Sequence, residues 1–257
     1  MAAVACASGL TIFSSIKTYK ANTVEVPVLM YHHILRDDEN SFKGNPSIIS
    51  LHSFEKQMEI LHENNYTTIS LKQLEQFLKG RAALPEKSVL ITFDDGYKSC
   101  NTYAYPVMKK YSFKGAVFVV TAWVKDMPQS FDPDVFQFLS WDEIRSSLDV
   151  FEYASHTHNL HYLDDERGSR FLLEPEEIVR KDLEQSRLLL GSRYFAYPYG
   201  EYTEAAVEAL KSDGFEMAFT MDEGNVKRGD DMMRLKRRII YPHTTPEEFR
   251  EIIGLMQ

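Results

Sequence analysis

Ser88-Val-Leu-Ile-Thr-Phe-Asp-Asp-Gly-Tyr97 changes character in its middle. Val89 to Phe93 is a short β-branched and aromatic run, the composition of a buried strand. Two adjacent carboxylates, Asp94 and Asp95, follow, and Gly96 lets the chain turn sharply. Like charges a few Å apart at the end of a buried strand resist ionising together. A cation held by one of them would relieve that cost. Asp and Gly are also ordinary turn residues, so a plain polar turn accounts equally well for this stretch taken alone.

A second stretch, Phe151-Glu-Tyr-Ala-Ser-His-Thr-His-Asn-Leu-His161, again runs from a short apolar strand into a polar cluster, here with three histidines. Imidazole with carboxylate suits Zn²⁺ and neighbouring divalent transition metals, whereas carboxylates alone would suggest Mg²⁺ or Ca²⁺. A catalytic metal site needs three protein ligands and an open position. Asp95 with two of these histidines meets that count.

The Thr92-Phe-Asp-Asp-Gly-Tyr97 run, the His156-Thr-x-x-x-His161 pattern and Phe195-Ala-Tyr-Pro-Tyr-Gly200 resemble the polysaccharide deacetylases, the NodB-homology group of carbohydrate esterases. The resemblance runs from about Val26 to the C-terminus. It is closest to the branch that de-N-acetylates poly-β-1,6-N-acetylglucosamine in bacterial biofilms. It implies metal-dependent hydrolysis of N-acetyl groups from an N-acetylglucosamine polymer, releasing acetate and leaving free amines. An extracellular or cell-surface location and a monomeric state go with that expectation. Peptidoglycan or chitin oligomers are the alternative substrates, since such motifs recognise acetamide and metal, not the linkage. A carbohydrate-binding protein with a decayed site is the reading from another class, and intact Asp94, Asp95, His156 and His161 argue against it. An amidase for a small non-sugar amide would show a closed pocket in place of a groove.

By the same resemblance Asp95, His156 and His161 hold one divalent transition metal, with zinc the default and cobalt or nickel compatible. His158 is left as a loop hydrogen-bonder. Asp94 becomes the general base, and the backbone N–H of Tyr199 the oxyanion donor, on a loop stiffened by Pro198. Many family members carry Arg where this chain has Ala196, and that Arg orients the catalytic Asp. Arg237 or Arg238 is the candidate substitute, although basic residues at a strand edge explain both equally well. The usual general-acid histidine follows a C-terminal strand. Here Ile239-Ile-Tyr-Pro-His243 matches poorly because Pro242 intervenes, whereas Val28-Leu-Met-Tyr-His32 resembles the same motif moved to the front by circular permutation. His32 is therefore preferred over His243 as the acid. Tyr97, Trp123, Trp141, Tyr197 and Tyr199 lie near the expected catalytic loops. Tyr97, Trp123, Tyr197 and Pro198 are the candidates for contacting sugar.

Composition sets the outer bounds. The chain has 257 residues and 44% hydrophobic content, ample for one large domain. A net charge of −9, from 29 basic and 38 acidic residues, argues against general nucleic-acid affinity. Cys6 and Cys100 alone imply no disulfide framework and no cysteine-type zinc site. Within residues 1–24, Ala2 to Phe13 is mildly apolar but broken by Ser8 and Gly9, with no Lys or Arg before it. Residues 1–24 read as a remnant of a signal or anchor or as an ordinary N-terminus, ahead of a single domain over 25–257.

Short strands alternate with helices along that domain. Strands are expected at Val26 to Tyr31, Thr67 to Ile69, Val89 to Phe93, Gly115 to Val120, in the short apolar run that leads into the histidines, and at Tyr194 to Ala196, Met217 to Thr220 and Arg238 to Tyr241. Helices are expected after Ser53, Ser70, Ser140, Pro175, Thr203 and Thr245, and over Asn101 to Tyr111 although Pro106 weakens its middle. This regular alternation predicts an α/β fold, a deformed (β/α) barrel of about seven to eight parallel strands. In such barrels active sites gather at the C-terminal strand ends, where Asp94, Asp95, the histidine cluster, Tyr197 to Gly200 and His32 all fall.

Overall fold

Parallel strands covered on both faces must be apolar throughout rather than alternating. The computed structural model describes residues 24–164 and 168–255. In it β1 (Val28–Tyr31), β2 (Ser88–Phe93) and β3 (Gly115–Val119) are buried at every position. After them come β4 (Phe151–Ser155), β5 (Tyr194–Ala196), β6 (Met217–Glu223) and β7 (Leu235–Ile239). Each strand pairs in parallel with the next, and β7 pairs with β1 through Arg238↔Leu29 and Ile239↔Met30, which closes a seven-strand barrel. The short strand Thr67–Thr68 joins only the start of β2, pairing with Ser88 and Val89. The ring is uneven. β4 and β5 share the single pair Phe195↔Ser155, and the β6–β7 register shifts between Phe219 and Glu223.

Two apolar layers follow from the closure. One cluster joins alternate strand residues such as Val28, Leu90, Ala116, Phe118, Ala154, Ala196 and Leu235, with small side chains where neighbouring strands crowd. The other joins Leu29, Tyr31, Ile91 and Phe93 to Phe54, Met58 and Leu61 of α1 (Leu51–Glu63). Tyr31 packs edge-on against Phe54 at 5.4 Å and donates its hydroxyl to Gln57 Oε1 at 2.8 Å.

Besides a single helical turn at Arg170–Leu173, the remaining helices among the described residues are α2 (Leu71–Leu78), α3 (Tyr105–Lys110), α4 (Trp141–Ser146), α5 (Glu176–Leu190), α6 (Glu204–Ser212) and α7 (Pro246–Ile252). The expected capping boxes at Ser70, Ser140 and Thr245 are all formed. α1 starts earlier than expected, because Ser50 is the cap and accepts from the Ser53 N–H. Pro106 breaks nothing. It sits in the first turn of α3, after a π-helical turn at Cys100–Ala104. The last strand starts three residues sooner than expected, which places Arg237 within β7 instead of at its edge. The expectation for residues 1–24 lies outside the described residues, Val24 apart.

Candidate active site

Asp94 follows directly on β2 and is only 2% exposed, so its charge requires a partner inside the protein. Arg237 supplies it. Its two terminal nitrogens donate to Asp94 Oδ1 and Oδ2, both at 2.7 Å, and its Nε donates to the Thr220 carbonyl at 2.9 Å. The guanidinium is fully buried, 5.9 Å from the Phe118 ring centroid. This two-toothed geometry fixes the carboxylate plane as well as its charge. Burial alone would raise the Asp94 pKa, but Arg237, with His156 and His32, holds it below the usual carboxylate range. Of the two sequence candidates Arg237 makes this contact, whereas Arg238 turns to Asn225 and Glu223.

Asp95 breaks the strand geometry. Its φ of 69° is left-handed, and Gly96 continues at 75°, where an added Cβ would lie 2.7 Å from Val119 Cγ1. The turn sends Asp95 to a different partner from Asp94. Its Oδ1 lies 3.5 Å from His156 Nε2 and 3.3 Å from His161 Nε2. The ligand atoms of these three residues all fall within 4.8 Å of one another. His156 is oriented by its Nδ1, 2.7 Å from the Ala196 carbonyl, which is the outer-shell arrangement usual for a metal-binding imidazole. Burial opposes protonation of His156, but the two aspartates outweigh it and raise its pKa. In His161 burial and His156 win, bringing it down to about 4. Asp95 Oδ1 is buried yet has no hydrogen-bond partner. An orphaned carboxylate oxygen facing two imidazole nitrogens is a donor set that fits a divalent transition metal.

The loop between the two histidines is held from outside the motifs. Asp182 of α5, 7% exposed, accepts the backbone N–H groups of His158 at 2.7 Å and Asn159 at 2.6 Å. Thr157 takes a left-handed φ of 77°, and Thr121 Oγ1 lies 2.8 Å from His158 Nδ1. His158 is thus a loop hydrogen-bonder and stands outside the Asp95 cluster. Nothing in the sequence pointed to Asp182, since a carboxylate in a charged helix looks like solvated surface.

Tyr199 sits in a tight turn over Pro198–Gly200 at φ 58°, its ring 4.6 Å from that of His161. The bonds closing this turn are made by the Gly200 and Glu201 N–H groups, so they do not use the Tyr199 amide. Gly200 permits the turn, because a Cβ there would lie 2.8 Å from the Met221 backbone nitrogen. His32, half-buried at the end of β1, lies near enough for its charge to act on both Asp94 and Asp95. His243 is exposed, stacked on Tyr241 at 5.4 Å, and makes no described contact with either carboxylate.

Among the expected sugar contacts, Tyr97 and Trp123 border the site. The Tyr97 phenol is set against Asp95, which together with burial raises its pKa. Trp123 meets His161 edge-on at 5.3 Å and donates to the Tyr162 hydroxyl at 3.1 Å. Tyr197 and Pro198 require correction, because both are buried. Tyr197 packs with Phe171 and Phe195 and donates to the Met233 carbonyl at 3.1 Å, because alternation along β5 puts it on the face of Phe195 under the helices. Trp141 packs on the outer apolar layer.

Residues 81–218, which contain both carboxylates and both histidines, match the family model described as polysaccharide deacetylase. The chain belongs to that family. Within it, the chain is similar to the poly-β-1,6-N-acetyl-D-glucosamine N-deacetylase of Staphylococcus epidermidis, 27% identical over 227 residues, covering 82% of this chain and 78% of that protein. It is equally similar to the Escherichia coli protein of the same name, 27% identical over 235 residues and 79% of this chain, but it spans only 35% of that relative's length. Among solved structures, IcaB from Ammonifex degensii superposes with a TM-score of 0.75 at 28% identity, over 90% of this chain and 97% of that one. Ala196 of β5 cannot make the contact to Asp94 that the resemblance expects of an arginine there, and Arg237 from β7 makes it.

Proposed function

We propose that this chain removes N-acetyl groups from poly-β-1,6-N-acetylglucosamine, using one divalent transition metal, as a monomer at or outside the cell surface. The observation that carries the reading is the pairing of an Arg-clamped Asp94 with a three-ligand cluster whose Asp95 Oδ1 has no other partner. The names of the Staphylococcus epidermidis and Escherichia coli relatives support the substrate. The location follows from the polymer, which lies outside the cell.

Asp95, His156 and His161 would hold the metal, with zinc the default and cobalt or nickel compatible. When bound it supplies Lewis acidity toward the acetamide carbonyl and lowers the pKa of a nearby water. The protein's own groups do the rest. Asp94, kept ionised and oriented by Arg237, takes a proton from the attacking water. The Tyr199 N–H donates to the oxygen on which negative charge develops. His32 returns a proton to the departing amine, so the products are acetate and a free glucosamine.

The test is acetate release from β-1,6-linked N-acetylglucosamine oligomers, with β-1,4-linked chitin oligomers and peptidoglycan in parallel, each repeated after chelation. Chelator-sensitive release from the β-1,6 series is the expected result. Release only from β-1,4 substrates would keep the chemistry and overturn the substrate. Release that survives chelation and complete metal removal would overturn the metal requirement.

A further inference from the structure

Ser99 stands at the head of the π-helical turn Cys100–Ala104, yet its side chain makes no capping bond there. Its Oγ accepts instead from the Ile34 N–H at 3.2 Å and lies 2.6 Å from His33 Nδ1. Cys100, the next residue, donates its thiol to the His32 carbonyl, with Sγ 3.7 Å from the oxygen. Two consecutive side chains thus grip three consecutive residues, His32 to Ile34, from far along the chain. Ser99 and Cys100 are both fully buried. Burial and the nearby charges of Asp95 and Asp94 push the thiol's pKa up, so it remains an S–H donor. A π-helical turn of this kind is frequent where a side chain must be aimed.

The grip falls where the chain changes partners. Tyr31, the last residue of β1, accepts the Asp94 N–H at 2.9 Å. The short strand His33–Leu35 has left the barrel and pairs with Ile48–Ser50, while the His33 N–H donates to the Ser47 carbonyl at 3.1 Å. His32 is the single link between the two strands and belongs to neither. Among the described residues, the hydrogen bond to its carbonyl comes from Cys100. The charge of this same residue acts on both Asp94 and Asp95. Turning its peptide would swing the imidazole, and a misplacement of about 1 Å costs a reacting group about a hundredfold in rate.

We propose that Ser99 and Cys100 are positioning residues that aim His32 at the departing amine. The inference rests on the function proposed above. In the step concerned, the C–N bond of the attacked acetamide breaks and its electron pair stays on nitrogen. That nitrogen takes the His32 proton and leaves as the free amine, and acetate keeps the carbonyl carbon. Water reprotonates His32 before the next turnover. Being fully buried, Ser99 and Cys100 act only through His32 and its neighbours.

The test compares kcat for acetate release from β-1,6- and β-1,4-linked N-acetylglucosamine oligomers with kcat for 4-nitrophenyl acetate, whose phenolate leaves without a proton. Metal-loaded wild type, Ser99→Ala, Cys100→Ala, Cys100→Ser and His32→Ala are assayed, and each alanine change is also combined with His32→Ala. Ser99→Ala and Cys100→Ala are each expected to lower the amide-to-ester ratio about tenfold, with KM for the oligomer unchanged. Cys100→Ser, which restores a donor, should recover part of that loss. In the His32→Ala background neither change should lower the ratio further, because the group they aim is gone. A merely structural role would lower both activities together and add to the effect of His32→Ala. Cys100→Val, which fills the site without a donor, gives the same readout if the alanine variants do not fold. Ratios within about twofold of wild type, or losses that multiply with that of His32→Ala, overturn the positioning while the function stands. The ratio is read on whichever linkage releases acetate, so a wrong linkage overturns the substrate and not the positioning. No acetate from any oligomer, with the ester still cleaved, overturns both, since no amine then departs.

Discussion

Replacing Arg237 by Met is the most informative single change, because it tests stability and chemistry at one contact. Met fills much of the same volume with no charge. Asp94 would then stand 2% exposed with both of its 2.7 Å donors gone, and the Thr220 carbonyl would lose a third. Removing one partner of a buried ion pair costs about 3–5 kcal/mol, because the other charge is left uncompensated. Denaturant unfolding should therefore show a loss in this range, with an unchanged slope. Turnover should fall about a hundredfold or more, since a misplaced general base forfeits about 10²–10⁴ in rate. Arg237→Lys separates the two effects. It restores the charge without the fork, so it should recover much of the stability and little of the turnover. The assays are equilibrium unfolding and kcat for acetate release on the same preparations. Turnover within threefold of wild type in folded Arg237→Met would refute the clamp. A stability loss below about 1 kcal/mol would show that Asp94 is relieved by another route.

Three further outcomes follow from other contacts. Asp94→Asn should keep metal binding and lose turnover, whereas His156→Ala should lose both, checked by metal content beside acetate release; full activity in Asp94→Asn would remove it as the base. Asp182→Ala, which frees the His158 and Asn159 N–H groups, should lower metal affinity about 10–100-fold with Asp182→Asn partly restoring it, as titration with a metal-competing dye would show. Glu75, bonded to Lys72 and Lys79 at 2.8 Å and to Tyr194 at 2.7 Å, overcomes its burial and has its pKa lowered from 4.5 to about 2. Its contribution is complete above pH 4.5 and disappears as the pH falls toward 2, so Glu75→Gln should be destabilised at neutral pH and show a flatter acid unfolding profile.

The barrel was legible because its strands are apolar on both faces and its helices carry their caps in the sequence. Ser70, Ser140 and Thr245 each announce a helix by a local rule that tertiary packing had no reason to override. The Asp95, His156 and His161 cluster was legible for a similar reason. His156 follows β4 directly, and Asp95 and His161 stand in the turns just after β2 and β4, so knowing where those strands stop is nearly enough to place them. What escaped depended on direction and not on position. Tyr197 lies two residues before Tyr199 in the chain, yet strand alternation carried from β5 turns it into the core, where its hydroxyl finds the Met233 carbonyl.

Asp182 escaped, and Arg237 stayed undecided against Arg238, for the opposite reason, since each acts far from its own place in the chain. Arg237 meets Asp94 across 143 positions, and only the β7–β1–β2 adjacency of a closed ring brings them together. The same closure brings His32, at the front of the chain, to the mouth shared with residues that follow the last strand. In a barrel the first and last strands are neighbours, so a side chain after β1 opens onto the same mouth as one after β7. The chain order of the motifs is therefore free to change while their spatial order is not. His243 shows the other side of this freedom: it follows β7 in the expected place, but Pro242 takes the chain outward, where its ring stacks on Tyr241 over the protein surface.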